Sequence, residues 1–188
     1  MNKKLIGILL ASSLASPLAY AENSPSYSFV EAGYISYDDS DLKTTGVKVK
    51  GSIELGESFF AVIDSSNHSG DINGFDIDFS TTGYGIGAKI DLQDDASIFA
   101  SYTLNNWKIK DLGSDVDINT IRVGYRKNIS NNVELNISYT SNDFETIDKE
   151  SGYQAGMLYS ISSTFQISFD YEAIDSSKII FVGGRLNF

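Results

Sequence analysis

Val182-Gly-Gly-Arg-Leu-Asn-Phe188, the stretch at the carboxyl end of the chain, alternates apolar and polar side chains and finishes on a phenylalanine. Successive side chains of a β-strand point to opposite faces, so Leu186 and Val182 share one face with the terminal phenylalanine. The opposite face carries Asn187 and Arg185. One apolar and one polar face are typical of a strand that meets lipid on one side and a polar interior on the other. The stretch therefore predicts a membrane β-barrel.

The amino end has the pattern of an export signal. Met1-Asn-Lys-Lys is basic, an apolar core begins at Leu5, and Ala19-Tyr-Ala21 is a small-x-small cleavage pattern. The unbroken apolar run is much shorter than the about 20 residues of a spanning helix, which argues against a membrane anchor. We therefore expect residues 1–21 to be a cleaved signal peptide and residues 22–188 to form one outer-membrane β-barrel domain.

Composition excludes several classes of function. The chain has 14 basic and 25 acidic residues, and loss of residues 1–21 removes two lysines and changes the net charge from −11 to −13. Nucleic acid binds basic surfaces and this chain is acidic, so we expect no nucleic-acid partner. Cysteine is absent, which excludes disulfides and thiolate chemistry. A closed barrel in lipid is an alternative source of stability for an exported domain.

Runs of alternating side chains fill the rest of the chain, separated by clusters of Gly, Asn, Asp and Ser. They are 27–37, 45–55, 58–66, 76–91, 96–107, 116–127, 132–141, 152–161, 164–174 and 178–188. Proline occurs only at Pro17 and Pro25, outside every run, as a hydrogen-bonded sheet requires. In the second run, Val47 and Val49 would face lipid while Lys48 and Lys50 point inward.

The runs predict an all-β fold, a transmembrane up-and-down antiparallel β-barrel with ten strands. Tight connections alternate with longer acidic ones such as 67–75 and 142–151, which puts both termini at the short-turn, periplasmic end. Eight strands are the alternative, in which two runs would be loop hairpins above the membrane.

Two runs break the phase of their alternation. Phe79 has the opposite parity to Tyr84 and Ile86, and Ile118 has the opposite parity to Ile121. Either a bulge lies near residues 80–83 and 120, or the early part of each run projects above the bilayer. Both early parts carry aspartate, which favours the second explanation.

Charges of both signs lie on the predicted inward faces. The candidates are Glu31, Lys48, Lys50, Glu54, Asp64, Lys89, Asp91, Arg122, Arg126, Glu134, Asp170, Glu172 and Arg185. Unpaired charge in a low-dielectric interior is costly, so we expect an internal ion-pair network in a narrow lumen. The alternative is the selectivity lining of a channel, which more often clusters one sign at a constriction.

His68 is the only histidine, and it lies in a predicted loop. A hydrolase would pair it with Ser69 and with Asp71 or Asp64, but residues this close in one loop lack a supporting shell. We therefore expect a polar loop residue, no catalytic residues, no cofactor and no enzyme activity.

Two further motifs have simpler explanations than ligand binding. The acidic clusters of the predicted loops lack EF-hand spacing, which favours solvated loops over a site for Ca²⁺ or Mg²⁺. Gly83-x-Gly85-x-Gly87 lies inside a run with no helix after it, so it is no phosphate loop. Its glycines either let bulky neighbours lie over the sheet or ease its curvature.

The carboxyl-terminal residues Gly183, Leu186 and Phe188 resemble the assembly signal of bacterial outer-membrane proteins, although Val182 departs from that pattern. Pieces such as 83–88 are similar to the small outer-membrane β-barrel family that includes the OmpA and OmpX type domains. The resemblance implies the cell outer membrane of a Gram-negative bacterium. It also implies contact with outer-membrane lipid and lipopolysaccharide, and with periplasmic chaperones and the barrel-assembly machinery during biogenesis.

The resemblance specifies location and fold better than activity, since members of the family serve as structural proteins, adhesins, resistance factors or narrow channels. We expect a monomeric, non-enzymatic envelope protein with acidic surface loops and a structural or surface-interaction role. The alternative is a small porin-like channel of low conductance for ions or small solutes.

Overall fold

The computed structural model describes residues 24–39, 42–72, 75–93, 95–109, 114–144 and 149–188. Ten antiparallel strands form one closed barrel, in which each strand pairs with its sequence neighbours and β1 pairs with β10. The strands are β1 Phe29–Asp39, β2 Leu42–Leu55, β3 Phe59–Ile72, β4 Phe75–Gln93, β5 Ala96–Ile109, β6 Ser114–Ser130, β7 Val133–Phe144, β8 Glu150–Ser160, β9 Phe165–Ile174 and β10 Ser177–Asn187.

The predicted ten-stranded, up-and-down barrel is confirmed, and the eight-stranded alternative is wrong. The predicted signal peptide, residues 1–21, lies outside the described part of the chain. Within the described ranges, no helix has the length and apolar character needed to cross a membrane.

The outer surface of the barrel carries a band of large apolar side chains. Such side chains are exposed on all ten strands, and on β2 Val47 and Val49 are 61% and 50% exposed. Lys48 lies between these two valines and Lys50 follows the second. Both lysines point into the lumen and line its cavity. A contiguous apolar surface that surrounds a polar interior is the arrangement of a transmembrane β-barrel. The predicted assignment of faces is therefore confirmed.

The two ends of the barrel differ. The end that holds Ser28 and Phe188, which we call the inner end, has four tight turns, as predicted. The first of them uses Gly56 at φ 76°, a left-handed conformation that glycine adopts without a steric penalty. At the opposite, outer end, the two-residue connection between β9 and β10 places Asp175 at φ 46°.

The strands extend further at the outer end than the sequence predicts. β3 continues to Ile72 and β4 begins at Phe75, so most of the predicted loop 67–75 is strand. The pairing of β4 and of β6 is continuous through residues 80–83 and 120, and its shifts lie instead between Asp91 and Gln93 and between Asn128 and Ser130. The bulge explanation of the phase break is therefore wrong.

The phase break has a different physical cause. Phe79 and Ile118 face the lumen and are only 5% and 4% exposed, so the alternation continues while the inward side chains change from polar to apolar. The outward neighbours of Phe79 are Asp78 and Ser80, which fits an outer part of β4 that lies beyond the apolar band. Continued ladder pairing and packing in the lumen explain why these residues are strand rather than loop.

Two glycines make room for aromatic rings on the inner wall of the barrel. A Cβ atom at Gly87 would collide with the ring of Phe60, and one at Gly124 would collide with the ring of Phe99. Each ring therefore lies flat over a glycine of the neighbouring strand. Of the two explanations for the glycines of β4, room for a bulky neighbour is confirmed at Gly87.

A charge on the lipid-facing band should destabilise the barrel. Ile86 on β4 is 66% exposed, and Ile86→Arg is expected to lower the free energy of unfolding in lipid vesicles by about 2–4 kcal/mol. Ser80→Arg, on the same face of β4 beyond the band, is the matched control and should cost less than about 1 kcal/mol. Urea titrations of the refolded variants measure both values. Equal losses would contradict the assignment of the band.

Candidate functional site in the barrel lumen

The lumen brings most of the predicted charged residues into pairs. The ion pairs are Arg122–Glu172 and Arg126–Glu134, both at 2.6 Å, Arg185–Glu31 at 3.2 Å, Lys89–Asp91 at 3.4 Å, Lys89–Glu54 at 3.6 Å and Lys48–Asp64 at 3.9 Å. The two remaining candidates, Lys50 and Asp170, have no ion pair within 4.0 Å among the residues described. The ammonium of Lys50 lies 5.6 Å from the centre of the Phe29 ring.

A triangle of polar contacts crosses the middle of the lumen. Arg122 on β6 donates from Nη2 to Glu172 on β9 at 2.6 Å and from Nε to the hydroxyl of Thr140 on β7 at 3.1 Å. Thr140 in turn donates to the same carboxylate oxygen of Glu172 at 2.8 Å. Partly buried charges of this kind are tolerated because each has a partner and further hydrogen bonds. The triangle links β9 to β6 and β7, neither of which is its neighbour in the sheet.

An aromatic cluster, made of Tyr37, His68, Phe79, Trp107 and Phe144, occupies the outer end of the lumen. Phe79 stacks on His68 with ring centres 4.4 Å apart and on Trp107 with centres 5.8 Å apart. Tyr37 and Phe144 meet Trp107 edge-on, each at 6.4 Å. The candidate sites drawn from the sequence did not include this cluster. The phase break at Phe79 was the signal that could have found it.

His68 is a strand residue and not a loop residue, so its predicted position is wrong. It faces the lumen from β3 and is only 5% exposed. Its Nε2 lies 2.8 Å from the hydroxyl of Ser66, and its Nδ1 lies 3.4 Å from the hydroxyl of Thr44. Ser69 lies on the opposite face of the strand, and Asp64 pairs with Lys48. The structure therefore does not assemble the triad that was considered for a hydrolase.

One cavity of about 240 Å³ extends along the lumen. Its lining reaches from Tyr27 at the inner end to Trp107 in the aromatic cluster, and it includes Lys50, Arg122 and Asp170. At about 30 Å³ for each water molecule in the liquid, this cavity has room for about eight waters. A second cavity of about 40 Å³ lies beside Lys50 and Asp170. The two side chains without an ion pair therefore border both cavities.

The residues that precede β1 enter the inner end of the lumen. Pro25, Tyr27 and Ser28 are buried there, although they belong to no strand. The carboxyl end lies beside them, since the amide of Phe188 donates to the carbonyl of Ser28 at 3.2 Å. Leu186 is 55% exposed on the lipid-facing side of β10, while Gly183 adjoins the ring of Phe181 on the inward side.

The outer rim is rich in carboxylates, several of which contact lysines. The exposed pairs are Lys43–Asp38 at 3.2 Å, Lys108–Asp115 at 3.6 Å and Lys149–Asp143 at 2.9 Å. In the part of the chain that the structure covers, no group of three or more His, Asp or Glu could hold a metal ion. Asp41, Asp111, Glu145 and Asp148, which belong to the predicted acidic loops, lie outside the described residues.

The fold is similar to that of outer-membrane porins. The KdgM porin, solved in complex with disordered oligogalacturonate, aligns with a TM-score of 0.56 at 9% identity, over 85% of this chain and 99% of that one. The NanC porin aligns with a TM-score of 0.56 at 10% identity, over 86% of this chain and 100% of that one. Neisserial surface protein A aligns with a TM-score of 0.45 at 14% identity, over 85% and 96% of the two chains.

The likeness to the two porins shows that the chain has the fold of an outer-membrane β-barrel. No family model matches the chain, and no curated protein matches its sequence. Membership of the family with OmpA and OmpX type domains is not confirmed.

Breaking one buried pair should cost more than removing both partners. Arg126 and Glu134 are almost fully buried, so Arg126→Met is expected to lower the free energy of unfolding by about 3–5 kcal/mol because it leaves a buried carboxylate unpaired. Adding Glu134→Met should recover most of that loss. Lys108→Met, which breaks an exposed pair, is the control and should cost about 1 kcal/mol or less. Denaturant titrations in lipid vesicles measure the free energy of unfolding of all three variants. If the losses from Arg126→Met and Glu134→Met added up in the double variant, the pairing would be contradicted.

Proposed function

We propose that this protein is a non-enzymatic barrel of the outer membrane whose lumen is closed by paired charges and aromatic side chains, and whose acidic rim contacts partners outside the cell. The observation that carries the proposal is the pairing of all three lumen arginines with carboxylates at 2.6–3.2 Å. A selectivity lining would present charges of one sign to a constriction, whereas here both signs neutralise each other. Paired charges that fill a narrow lumen have a structural role.

The environment of His68 supports a role without catalysis. Both ring nitrogens lie near hydroxyl groups, and the ring stacks on Phe79. A catalytic histidine of the serine hydrolase type would need a carboxylate to orient its ring. The hydroxyl of Ser66 also lies 2.7 Å from the hydroxyl of Thr81. Thr44, His68, Ser66 and Thr81 therefore form a chain of hydrogen bonds along the wall of the lumen.

The proposed partners follow from the two surfaces of the barrel. Outer-membrane lipid would cover the apolar band, and lipopolysaccharide would lie at the acidic rim. Periplasmic chaperones and the barrel-assembly machinery would meet the chain during biogenesis, with Gly183, Leu186 and Phe188 as the assembly signal. We propose a monomer, because the closed ladder leaves no strand edge for a second copy.

A small channel of low conductance is the second candidate. Its support is the cavity of about 240 Å³ along the lumen, together with the fold that the chain shares with two porins. In this case Lys50 and Asp170, the two charges without an ion pair, would face the permeating ions.

Planar-bilayer recording separates the two candidates. The refolded protein is expected to show no steady conductance, because side chains close the lumen. Discrete, steady conductance of the intact chain would contradict the closed-lumen function and support the channel. Ser80→Arg, which changes the outer face beyond the apolar band and should cost little stability, controls for leakage caused by damage to the bilayer.

Deletion of Phe188 should separate assembly from stability. If this residue belongs to the assembly signal, its loss is expected to reduce insertion in cells strongly, while the refolded barrel changes little in its free energy of unfolding. Heat-dependent gel mobility of membrane fractions measures insertion, and urea titration measures stability. The control is Ile161→Ser, which removes an exposed apolar side chain from a turn at the inner end. Equal losses in both assays after Phe188 deletion would rule out the recognition role.

A further inference from the structure

We propose that the amino-terminal segment Ser24–Ser28, which we call the N-terminal strap, is a displaceable closure of the inner mouth of the lumen. Its release opens the lumen cavity at the inner end while the barrel itself stays intact. The inference deepens the closed-lumen function proposed above and rests on it. The strap would then be an autoinhibitory element within the chain.

Tyr27 is the part of the strap that fills the mouth. Its ring is 3% exposed and packs against Phe60 at 4.7 Å and Phe99 at 6.1 Å between ring centres. The guanidinium of Arg126 lies 4.4 Å from the centre of the ring and the ammonium of Lys89 lies 5.3 Å from it. Cations over a desolvated aromatic ring are attracted to its electron-rich face. The side chain is therefore held on several sides at once.

Polar contacts fix the strap mainly through side chains of the barrel. Arg126 donates from Nη1 to the carbonyl of Ser26 at 2.9 Å, and the amide of Tyr27 donates to Glu54 at 2.8 Å. The hydroxyl of Tyr27 lies 2.9 Å from that of Ser97, and the hydroxyl of Ser28 accepts the amide of Glu54 at 3.1 Å. The strap precedes β1, so its departure leaves the ladder of the barrel unbroken.

The groups that hold the strap keep partners when it leaves. Arg126 still has Glu134 at 2.6 Å, and Glu54 still has Lys89 at 3.6 Å. Release therefore leaves neither Arg126 nor Glu54 without a charged partner. A buried charge that loses its partner is the costly outcome when an interior ion pair is broken. What release must overcome is the burial of Tyr27, its cation–π contacts and a few hydrogen bonds. These are contacts that a segment can break and remake.

Release of the strap would connect the cavity to the space beyond the inner end. Tyr27 belongs to the lining of the same cavity that reaches Trp107 near the outer end. Phe60 and Phe99 also line this cavity, but they lie over Gly87 and Gly124 of the barrel wall and remain when the strap departs. Tyr27 is thus the movable part of the inner wall.

A single cysteine in the lumen tests the inference directly, since the chain has none of its own. Ser52→Cys is suitable because Ser52 is 7% exposed and lines the cavity, and its hydroxyl has no hydrogen-bond partner among the described residues. The reporter should react slowly with a charged, water-soluble methanethiosulfonate reagent when the strap is intact. Tyr27→Ala should raise the rate about tenfold or more, because a closed state populated above about 90% protects the thiol to that extent.

Matched variants identify the cause of any change. Tyr34→Ala removes an exposed tyrosine from the outward face of β1 and should leave the rate unchanged. Tyr27→Phe keeps the ring but loses the contact with Ser97, so its rate should stay near that of the intact strap. Heat-dependent gel mobility shows whether each variant is folded. If Tyr27→Ala does not fold, Tyr27→Leu, which keeps an apolar side chain without the cation–π contacts, takes its place.

The outcomes separate this inference from the function on which it rests. Equal thiol rates in folded chains with and without Tyr27 would overturn the strap inference, whatever the conductance of the barrel. Steady conductance of the intact chain would contradict the closed lumen, even if the strap variants differ in rate. Protection that is lost only when Tyr27 is replaced supports the strap as the inner closure.

Discussion

Closure of the ladder between β1 and β10 is the constraint on which the rest of the structure depends. An unpaired backbone N–H or C=O in hydrocarbon costs several kcal/mol, so a chain that crosses a bilayer with strands must close its sheet. The two strands pair continuously from Phe29 with Asn187 to Asp39 with Ser177. Once the sheet is closed, each strand has one face for lipid and one for the lumen.

Closure also determines the chemistry of the interior. Charged side chains that alternate with lipid-facing ones point into a narrow lumen, because successive side chains of a strand lie on opposite faces. An isolated charge in that lumen is costly. The chain meets this cost by pairing across strands, as Arg122 does with Glu172 and Arg185 with Glu31. In the function proposed above, the same pairs that stabilise the interior also obstruct the lumen, so stability and closure go together.

Aromatic rings complement the charges at the two ends of the lumen. At the outer end Phe79 packs between His68 and Trp107, and at the inner end Tyr27 packs against Phe60. The two ends differ in how their rings are attached. The outer rings belong to strands of the ladder, whereas Tyr27 belongs to a segment outside it. This difference is why the proposed opening, which preserves the barrel, is placed at the inner end.

The sequence by itself determined the ten strands, their lipid-facing sides and the set of inward charges, because each depends on local alternation of side chains. The export signal and the terminal phenylalanine favoured a membrane barrel over a soluble sheet protein, which alternation alone does not distinguish. It could not decide which charges meet, since pairs such as Arg122 and Glu172 lie 50 residues apart and come together only when the sheet closes. It misplaced His68 in a loop, because polar residues at the end of a strand look alike whether they are solvated or paired in a ladder. Packing in the lumen, a tertiary property, also decided that Tyr27 lies inside the mouth.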